Sequence, residues 1–337
     1  MDYGQSYTAT GRVYRVNRDT WADREQISNV DAAGVTRTAN GNLLESGSLE
    51  VTGNIESDYY RIVMTAEQGG EVVREDVATL FVESKGGTEN YGTELQTADG
   101  RSVLYPASTT SVLTGSYAPA GADGAQYAAQ LLRGAINAPV MVEGSFTLNE
   151  HIVHDVGEAV LDAVWAVLDA GGFVMQIDGR GIVHIMPKPT QPALILNSNL
   201  ITPGINYTTA LSKIPNRYVV IDGSNVTTVV NDDPNSEVSI VSRGFFVDLV
   251  DESPTPINGE TYGEYAMRML YNASILEDER EYTREFAPGV YPYSVISASV
   301  DGLQGNLRVK SQNITCDTGI TVSEKSVREV ELWNYPL

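Results

Sequence analysis

The stretch FVMQIDGRGIVHIMPKP (residues 173–189), with IPNRYVVID (residues 214–222) after it, decides the fold of this chain. Two apolar runs, Phe173–Ile177 and Ile182–Met186, flank the turn Asp178–Gly181. Glycine tolerates positive φ, so the two glycines of this turn allow the chain to reverse direction tightly. The segment is therefore predicted to be a β-hairpin.

A proline-rich linker follows the hairpin and precedes the strand predicted at Arg217–Asp222. Its prolines are Pro187, Pro189, Pro192 and Pro203. Proline fixes φ and lacks a backbone N–H, so we expect neither a regular central strand nor a helix here. The linker is predicted to carry the chain from one domain to the next.

Size and composition set the protein class. A chain of 337 residues exceeds one ordinary hydrophobic core, so two to four domains are expected. With 42% hydrophobic and 20% charged residues, the chain is neither disordered nor membrane-embedded. The start of the chain lacks a basic and apolar signal sequence, so no secretory signal is expected. A single cysteine, Cys316, excludes an intrachain disulfide and a cysteine-based zinc site.

The net charge is strongly negative, at −22, with 44 acidic against 22 basic residues. Binding nucleic acid by phosphate neutralisation needs clustered Lys and Arg, so this function is not expected. A high net charge keeps a protein soluble, and it also produces a surface that repels anionic molecules.

The predicted fold class is α+β and predominantly β, with two tube-like β-barrel or sandwich domains and a small α/β module between them. Residues 1–115 are predicted as the first β domain. Its predicted strands are Leu49–Val51, Tyr59–Thr65, Val72–Arg74 and Ala78–Glu83, and the polar, glycine-bearing segment Lys85–Thr93 is predicted to be a loop.

Residues 116–203 are predicted as the α/β module with its linker. Asp123 is a suitable N-cap for a helix at about 124–136. Asp155 and Glu158 resemble a capping box for a second helix at about 156–170, which Gly171 and Gly172 would end.

Residues 204–337 are predicted as the second β domain with one inserted helix. Strands are expected at 217–222, 226–230 and 237–242. Thr261 and Glu264 form a capping box for a helix that reaches about Glu281. From Tyr293 onward, four or five strands are expected, separated at 301–302, 317–319 and 324–325.

The sequence predicts no catalytic, cofactor-binding or metal-binding residue. His151 and His154 lie three positions apart beside Glu150 and Asp155, a possible metal cluster, but no further histidine is nearby. His184 is expected to be an ordinary strand residue. The acidic clusters Glu277–Glu279 and Asp232-Asp233 lack EF-hand spacing, and GxSxG, GxGxxG and P-loop motifs are absent.

The order of parts along the chain resembles that of a known family. A β-rich region ends near Phe81–Ser84, and two helices follow. The quoted segments after them are DGRGIVHIMP (178–187), PNRYVVID (215–222), TYGEYAMRML (261–270) and VYPYSVISAS (290–299). This arrangement resembles the baseplate or tail-tip hub proteins of tailed bacteriophages, a module also found at the start of tail-associated lysins.

The resemblance implies a homotrimer that caps the tail tube. Each subunit would contribute two tube-like β-barrels, about 1–100 and 205–337, so that three chains form a pseudo-sixfold ring. The implied partners are the tail tube or distal tail protein, the tape measure protein and spike or tip proteins. DNA would pass through the ring without specific binding. The implied location is the virion tail after synthesis in the host cytoplasm, with no cofactor and no membrane-spanning segment. The lysin domain that some family members add is not expected after Leu337.

Two other functions remain open from the sequence. A distal-tail or receptor-binding component would dock on the host surface and expose an aromatic or glycan-binding loop region. A cell-wall hydrolase would use two of the many carboxylates as an acid pair.

Overall fold

The computed structural model of the protein describes residues 7–28, 30–39, 41–52, 55–90, 93–208, 211–254, 256, 260–316 and 320–333. Its chain divides into two compact units. Unit 1 comprises Met1–Ile205 with Glu281–Ser326, and unit 2 comprises Asn206–Arg280 with Val327–Leu337. Residues 204–337, predicted as one domain, are therefore divided between the two units.

Seven antiparallel strands form the N-terminal part of unit 1. They are β1 (Thr8–Val16), β2 (Asp23–Ile27), β3 (Val30–Thr38), β4 (Glu45–Thr52), β5 (Tyr59–Gln68), β6 (Glu71–Asn90) and β7 (Thr93–Arg101). Their order is β3-β4-β7-β6-β5-β1-β2. Leu49, Tyr60, Ile62, Met64 and Leu80 are buried in their shared core. Aromatic and β-branched residues suit this pleated, half-buried surface.

The loop predicted at Lys85–Thr93 is wrong over the described residues. Strand β6 continues to Asn90 and β7 begins at Thr93, with Lys85 opposite Ala98; residues 91–92 lie outside the described residues. The two strands form a hairpin in which backbone pairing holds these residues in strand conformation, and β7 also pairs with β4.

The α/β module of unit 1 follows. Its elements are α1 (Tyr105–Thr109), β8 (Ser116–Ala118), α2 (Gly124–Ala135), β9 (Val140–Val142), β10 (Ile152–His154), α3 (Val160–Gly171), β11 (Phe173–Ile177) and β12 (Val183–Pro187). The Asp123 side chain accepts hydrogen bonds from the amides of Ala125 and Gln126, which confirms the predicted cap of α2. The predicted hairpin is confirmed as the antiparallel pair β11–β12.

Helix α3, which corresponds to the second helix predicted in the module, begins later than predicted. Its N-cap is Ala159, and the Asp155 amide donates to Glu158 Oε2 (3.1 Å), which is only half of a capping box. Residues 157–160 instead pair with residues 110–112, and the φ of Gly157 is +93°. This pairing delays the helix by one turn. Gly172 ends α3 in the left-handed conformation, as predicted.

The linker contains two strands, and both lie at sheet edges, which agrees with the prediction that its prolines exclude a regular central strand. Strand β13 (Pro192–Leu196) pairs in parallel with Val295–Val300, and β14 (Ile201–Thr208) contains Pro203. Pro192 is the first residue of its strand, and β14 lies at the end of the strand order. Proline is tolerated at both places, because no N–H is required there for a second neighbour.

Unit 2 is a small three-stranded sheet with helices. Its elements are β15 (Arg217–Asp222), β16 (Asn225–Val230), α4 (Ile240–Arg243), β17 (Asp248–Asp251) and α5 (Tyr262–Ala273). The strand order is β16-β15-β17, and the core includes Tyr218, Val220, Tyr265, Ala266 and Leu270. The capping box of Thr261 and Glu264 is confirmed.

Two predictions in residues 237–281 are wrong. The strand expected at 237–242 is a turn followed by α4, because the Ser239 hydroxyl accepts a hydrogen bond from the Ser242 amide and caps that helix. The helix expected to reach Glu281 ends at Ala273. The acid-rich segment after it is strand β18 (Ile275–Glu285), in which Leu276 and Asp278 are buried at a period of two.

The last strands lie mostly in unit 1, and the residues of β21 after Ser326 belong to unit 2. After β18 come β19 (Val295–Val300), β20 (Leu303–Cys316) and β21 (Ile320–Glu331). Three strands thus follow Tyr293 in the described residues instead of four or five, because 324–325 lies inside β21; residues 317–319 lie outside the described part. A second core contains Leu196, Tyr282, Ile296, Leu303, Leu307 and Val309.

Strand β20 joins the two groups of strands. Its first half pairs with β19 and its second half pairs with β3, so one 13-stranded sheet results. Strands account for 51% of the chain and helices for 16%, which confirms the α+β, predominantly β fold class.

Candidate functional site: a docked turn and two buried polar networks

The turn of the β11–β12 hairpin closes on itself before it makes any other contact. The Gly181 amide donates to the Asp178 carbonyl (2.9 Å), and the Ile182 amide donates to Asp178 Oδ1 (2.9 Å). Gly181 has a φ of +74°, which favours glycine. The carbonyls of Gly179 and Arg180 therefore point away from the hairpin and need other donors.

Side chains of the N-terminal strands supply those donors. Trp21 Nε1 donates to the Arg180 carbonyl (2.7 Å), and Arg61 Nη2 donates to the same oxygen (3.1 Å). Thr79 Oγ1 donates to the Gly179 carbonyl (3.1 Å). The turn is therefore docked onto β5, β6 and the segment before β2, and it fixes the α/β module to the sheet.

The docking leaves no space for a side chain at position 179. A Cβ atom there would lie 1.7 Å from the Asp76 carbonyl oxygen and 2.4 Å from its carbon. At Gly181, a Cβ atom would lie 2.8 Å from Thr79 Cβ. Both glycines of the turn are required by this close approach.

Arg61 is the buried centre of the docking site. Its Nη1 contacts Asp23 Oδ1 (2.7 Å) and its Nε donates to Thr79 Oγ1 (3.1 Å). Burial lowers the pKa of Arg61, and the carboxylates of Asp23 and Asp76 oppose that effect. The Arg61 guanidinium therefore binds the Arg180 carbonyl of the turn and the Asp23 carboxylate at the same time.

A buried acid lies beside the same hairpin. The Glu45 carboxyl is inaccessible, and its Oε2 lies 3.5 Å from Arg37 Nε. Arg37 also donates to the Val77 carbonyl and stacks over the Tyr291 ring at 5.0 Å. Burial raises the pKa of Glu45 to about 7, although Arg37 acts in the opposite direction.

A second buried network joins β18, β20 and β21. Glu324 accepts from Tyr282 Oη (2.6 Å), Arg284 Nη2 (2.6 Å) and Gln312 Nε2 (2.7 Å). Burial, followed by Glu324, holds the pKa of Tyr282 well above its usual value. Burial acts to lower the pKa of Arg284, but Glu324, together with Tyr282 and Tyr7, holds it above its usual value. Removing one partner of such a buried pair costs more folding free energy than the intact pair contributes. The pair therefore favours the strand register that keeps both partners together.

The histidines considered as metal ligands are not gathered into a site. His151 Nδ1 accepts from the Ala120 amide (3.1 Å), whereas His154 is buried and stacks on Tyr127 at 5.8 Å. His184 contacts Asp178 Oδ2 (3.3 Å) and Glu143 Oε1 (2.7 Å), and these hydrogen bonds, Asp178 first, raise its pKa. No group of three His, Cys, Asp or Glu side chains suited to a metal ion occurs in the described ranges.

The acidic clusters take part in ordinary contacts. Asp278 binds Arg280 (2.7 Å) and Arg328 (3.0 Å). Asp233 Oδ1 accepts from the Asn235 amide (2.8 Å) and thereby closes a turn. These contacts agree with ion pairing and turn formation. Within the part of the chain that is described, no helix has the length and apolarity needed to span a bilayer.

The residues that receive the turn could not be located from local sequence patterns. Arg61 interrupts the apolar run of β5. The turn Asp178–Gly181 contains two glycines, although one is enough for a tight hairpin turn. These two irregularities are the only local signals of the docking site. Trp21 and Thr79 carry no such signal, because their partners are 100 or more residues away along the chain.

Comparison with known proteins gives matches at the level of structure. No protein-family model and no curated protein sequence matches the chain. The 43 kDa tail protein of prophage MuSo2 from Shewanella oneidensis has a TM-score of 0.64 at 15% identity, over 94% of this chain and 98% of that chain. The tail protein from Neisseria meningitidis MC58 has a TM-score of 0.65 at 12% identity, over 96% and 97%.

A more distant match comes from the Francisella PdpA-VgrG complex, with a TM-score of 0.54 at 9% identity. It covers 100% of this chain and 55% of that chain. At such identities the likeness concerns the fold. The chain has the fold of phage tail proteins, so the resemblance seen in the sequence is confirmed.

Proposed function

We propose that this protein is a structural hub of a phage tail baseplate or tail tip. Three copies form a pseudo-sixfold ring that joins the tail tube to the tip or spike. The observation that supports this most directly is the tail-protein fold over almost the full length of both chains, 94% and 98% in one case and 96% and 97% in another.

The organisation of unit 1 supports the proposed symmetry. Its buried residues form two clusters, one built mainly from the N-terminal strands with Ile314 and Val322 of β20 and β21, the other from the C-terminal strands and β13. Strands β20 and β3 pair and join the two groups in one sheet. Three such chains present six strand groups around an axis. Pairing between subunits would cover strand edges that are otherwise exposed.

A passive role towards DNA agrees with the charge. Each copy carries a net charge of −22, so a channel lined by part of these acids repels the phosphate backbone and lets DNA slide through without specific binding. The proposed partners are the tail tube or distal tail protein, the tape measure protein and spike or tip proteins. The proposed location is the virion tail, after synthesis in the host cytoplasm.

We propose no catalytic step for this chain. Within the described residues the buried carboxylates are Glu45, Asp58, Asp278 and Glu324, and each contacts an arginine. Hydrogen bonds from Arg18 and Arg15 keep the pKa of Asp58 low although its burial acts to raise it. Such pairing favours a structural use of these acids.

Labelling of the tail end tests the proposal. Gold-labelled antibodies against the purified chain are expected to decorate one end of the particle, at the junction of tube and tip. A zymogram of the purified protein on cell walls is expected to be blank, and binding to whole host cells is expected to be absent. Decoration of peripheral fibres, or a cleared zymogram band, would overturn the assignment.

A further inference from the structure

A short antiparallel ribbon on the α/β module is the most distinctive surface of unit 1. Strands β8 and β10 pair with each other, with Tyr117 opposite Val153. Beyond a turn at residues 156–157, an isolated bridge pairs Ser111 with Ala159. The Val112 amide donates to the Glu158 carbonyl (2.8 Å), and the Gly157 amide donates to the Val112 carbonyl (2.9 Å). We call residues 110–118 and 152–160 the ribbon.

One face of the ribbon is buried and the other is apolar and exposed. Ala118 and His154 point into the module. On the opposite face, Tyr117 is 55% exposed and its neighbour Val153 is 70% exposed. Exposed apolar side chains that are grouped in this way mark interaction sites, whereas isolated ones do not.

The patch extends along the ribbon. Val156 is 67% exposed and lies over Gly115, with 3.9 Å between its Cγ2 and the position of a Cβ atom there. Leu113, two residues before Gly115, is 85% exposed. Within the described residues, β8 and β10 pair with no strand other than each other, so no strand occupies their outer edges.

The surroundings of the patch are acidic. Between Arg101 and Arg180 the only lysine or arginine is Arg133, whereas eight side chains are acidic. The eight are Asp123, Glu143, Glu150, Asp155, Glu158, Asp162, Asp169 and Asp178. Glu150 and Asp155 are exposed within the ribbon or directly next to it. A partner must therefore combine apolar side chains with positive charge.

We propose that the ribbon binds a strand-forming segment of another protein, in which Lys or Arg alternates with apolar residues. The segment adds to an open edge of the ribbon and forms main-chain hydrogen bonds. Its apolar side chains, two residues apart, contact Tyr117 and Val153, while its basic side chains face Glu150 and Asp155. This proposal does not depend on the role in the tail, because it concerns a surface of the isolated chain.

The charge of the ribbon argues against a second copy of this chain as the occupant. A symmetric contact between two ribbons would bring Glu150 and Asp155 of one copy towards the same acids of the other. Like charges placed face to face oppose association. The acidic rim thus selects a basic partner.

A synthetic peptide that alternates lysine with valine and tyrosine tests the proposal on the intact protein. Fluorescence anisotropy is expected to show binding that weakens as salt is added, because ionic contacts at a surface are screened. A peptide with glutamate in place of lysine is expected not to bind. A peptide of the same composition with its lysines in one block is expected to bind much more weakly.

Variants of exposed residues connect binding to the ribbon without disturbing the fold. Y117S with V153T is expected to weaken peptide binding about tenfold, which corresponds to about 1.4 kcal/mol. E150Q is expected to weaken it less and to reduce the salt dependence. V72T, at an equally exposed strand valine, is the matched control and is expected to change nothing.

Three results would overturn the proposal. One is equal binding by the wild type and the Y117S/V153T variant. Another is equal binding of the lysine and glutamate peptides. The third is self-association of the chain in ultracentrifugation that V153T abolishes, because it would assign the ribbon to a second copy.

Discussion

Replacing Gly179 by alanine is expected to undo the docking of the α/β module in unit 1. The new Cβ atom would lie 1.7 Å from the Asp76 carbonyl oxygen, a backbone atom that cannot rotate away. The turn must therefore retreat by more than an ångström. The φ of Gly179 is not in the left-handed region, so the backbone accepts alanine and the contact alone is responsible.

The magnitude follows from the contacts that the retreat lengthens. Overpacking of a tight site costs about 1–3 kcal/mol. The hydrogen bonds to the Gly179 and Arg180 carbonyls from Thr79, Trp21 and Arg61 contribute about 0.5–1.5 kcal/mol each. A total loss of about 3–5 kcal/mol is expected, which corresponds to a fall in Tm of roughly 6–20 °C for a domain of this size.

Thermal unfolding followed by circular dichroism measures this loss. Hydrogen exchange of residues 173–187, followed by mass spectrometry, locates it. Gly134→Ala is the matched control, because a Cβ at this exposed position of α2 meets nothing within 4 Å. Its Tm is expected to rise slightly, since alanine favours helix by about 1 kcal/mol over glycine. If Gly179→Ala matched the wild type in Tm and in exchange, the docking argument would be refuted.

Three further substitutions test the buried networks and one helix cap. The pKa of Glu45 is raised from 4.5 to about 7, so the folded state binds this proton more tightly and loses up to about 3 kcal/mol of stability as pH rises through that window. Glu45→Gln is expected to remove that loss; urea titrations across the window that show parallel curves would contradict it. Arg284→Met leaves Glu324 buried without its ion-pair partner and is expected to cost about 3–5 kcal/mol, while R284M combined with E324L costs much less, by chemical denaturation. A double variant less stable than R284M would show that the pair itself stabilises. Thr261→Ala removes the cap of α5 and is expected to destabilise unit 2 by about 1 kcal/mol in the same titration, whereas an unchanged midpoint would assign the cap no energetic role.

Local signals predicted the parts of the fold that depend on local interactions. The caps at Asp123 and Thr261, the left-handed Gly172 and the hairpin of residues 173–186 are all confirmed, because each depends on hydrogen bonds or φ values within a few residues. The predominantly β class is confirmed for a similar reason, since alternating runs are visible one strand at a time.

Strand pairing explains the errors. Strand β18 has helix-compatible composition, but the distant strands β14 and β21 hold it extended. Residues 85–90 have loop-like composition and pair with the neighbouring residues 93–98 in a local hairpin. The linker strands β13 and β14 are not among these errors, because both lie at sheet edges, where proline is accepted. The local sequence of a segment does not show which position in the sheet the segment will occupy.

The docking site is missed for the same reason. The donors Trp21, Arg61 and Thr79 are 100 or more residues from the carbonyls they bind. The buried pair of Arg284 and Glu324 spans 40 residues. In the sequence, Arg284 and Glu324 look like ordinary charged residues on the solvent-exposed face of a strand.

Cryo-electron microscopy of the intact particle at its tail end tests the central claim most directly. The account predicts three copies of this chain in a closed ring on the tail axis, with the two strand groups of each copy alternating to give pseudo-sixfold symmetry. Density for the chain away from the axis, or as single copies that leave the channel to another protein, would contradict it.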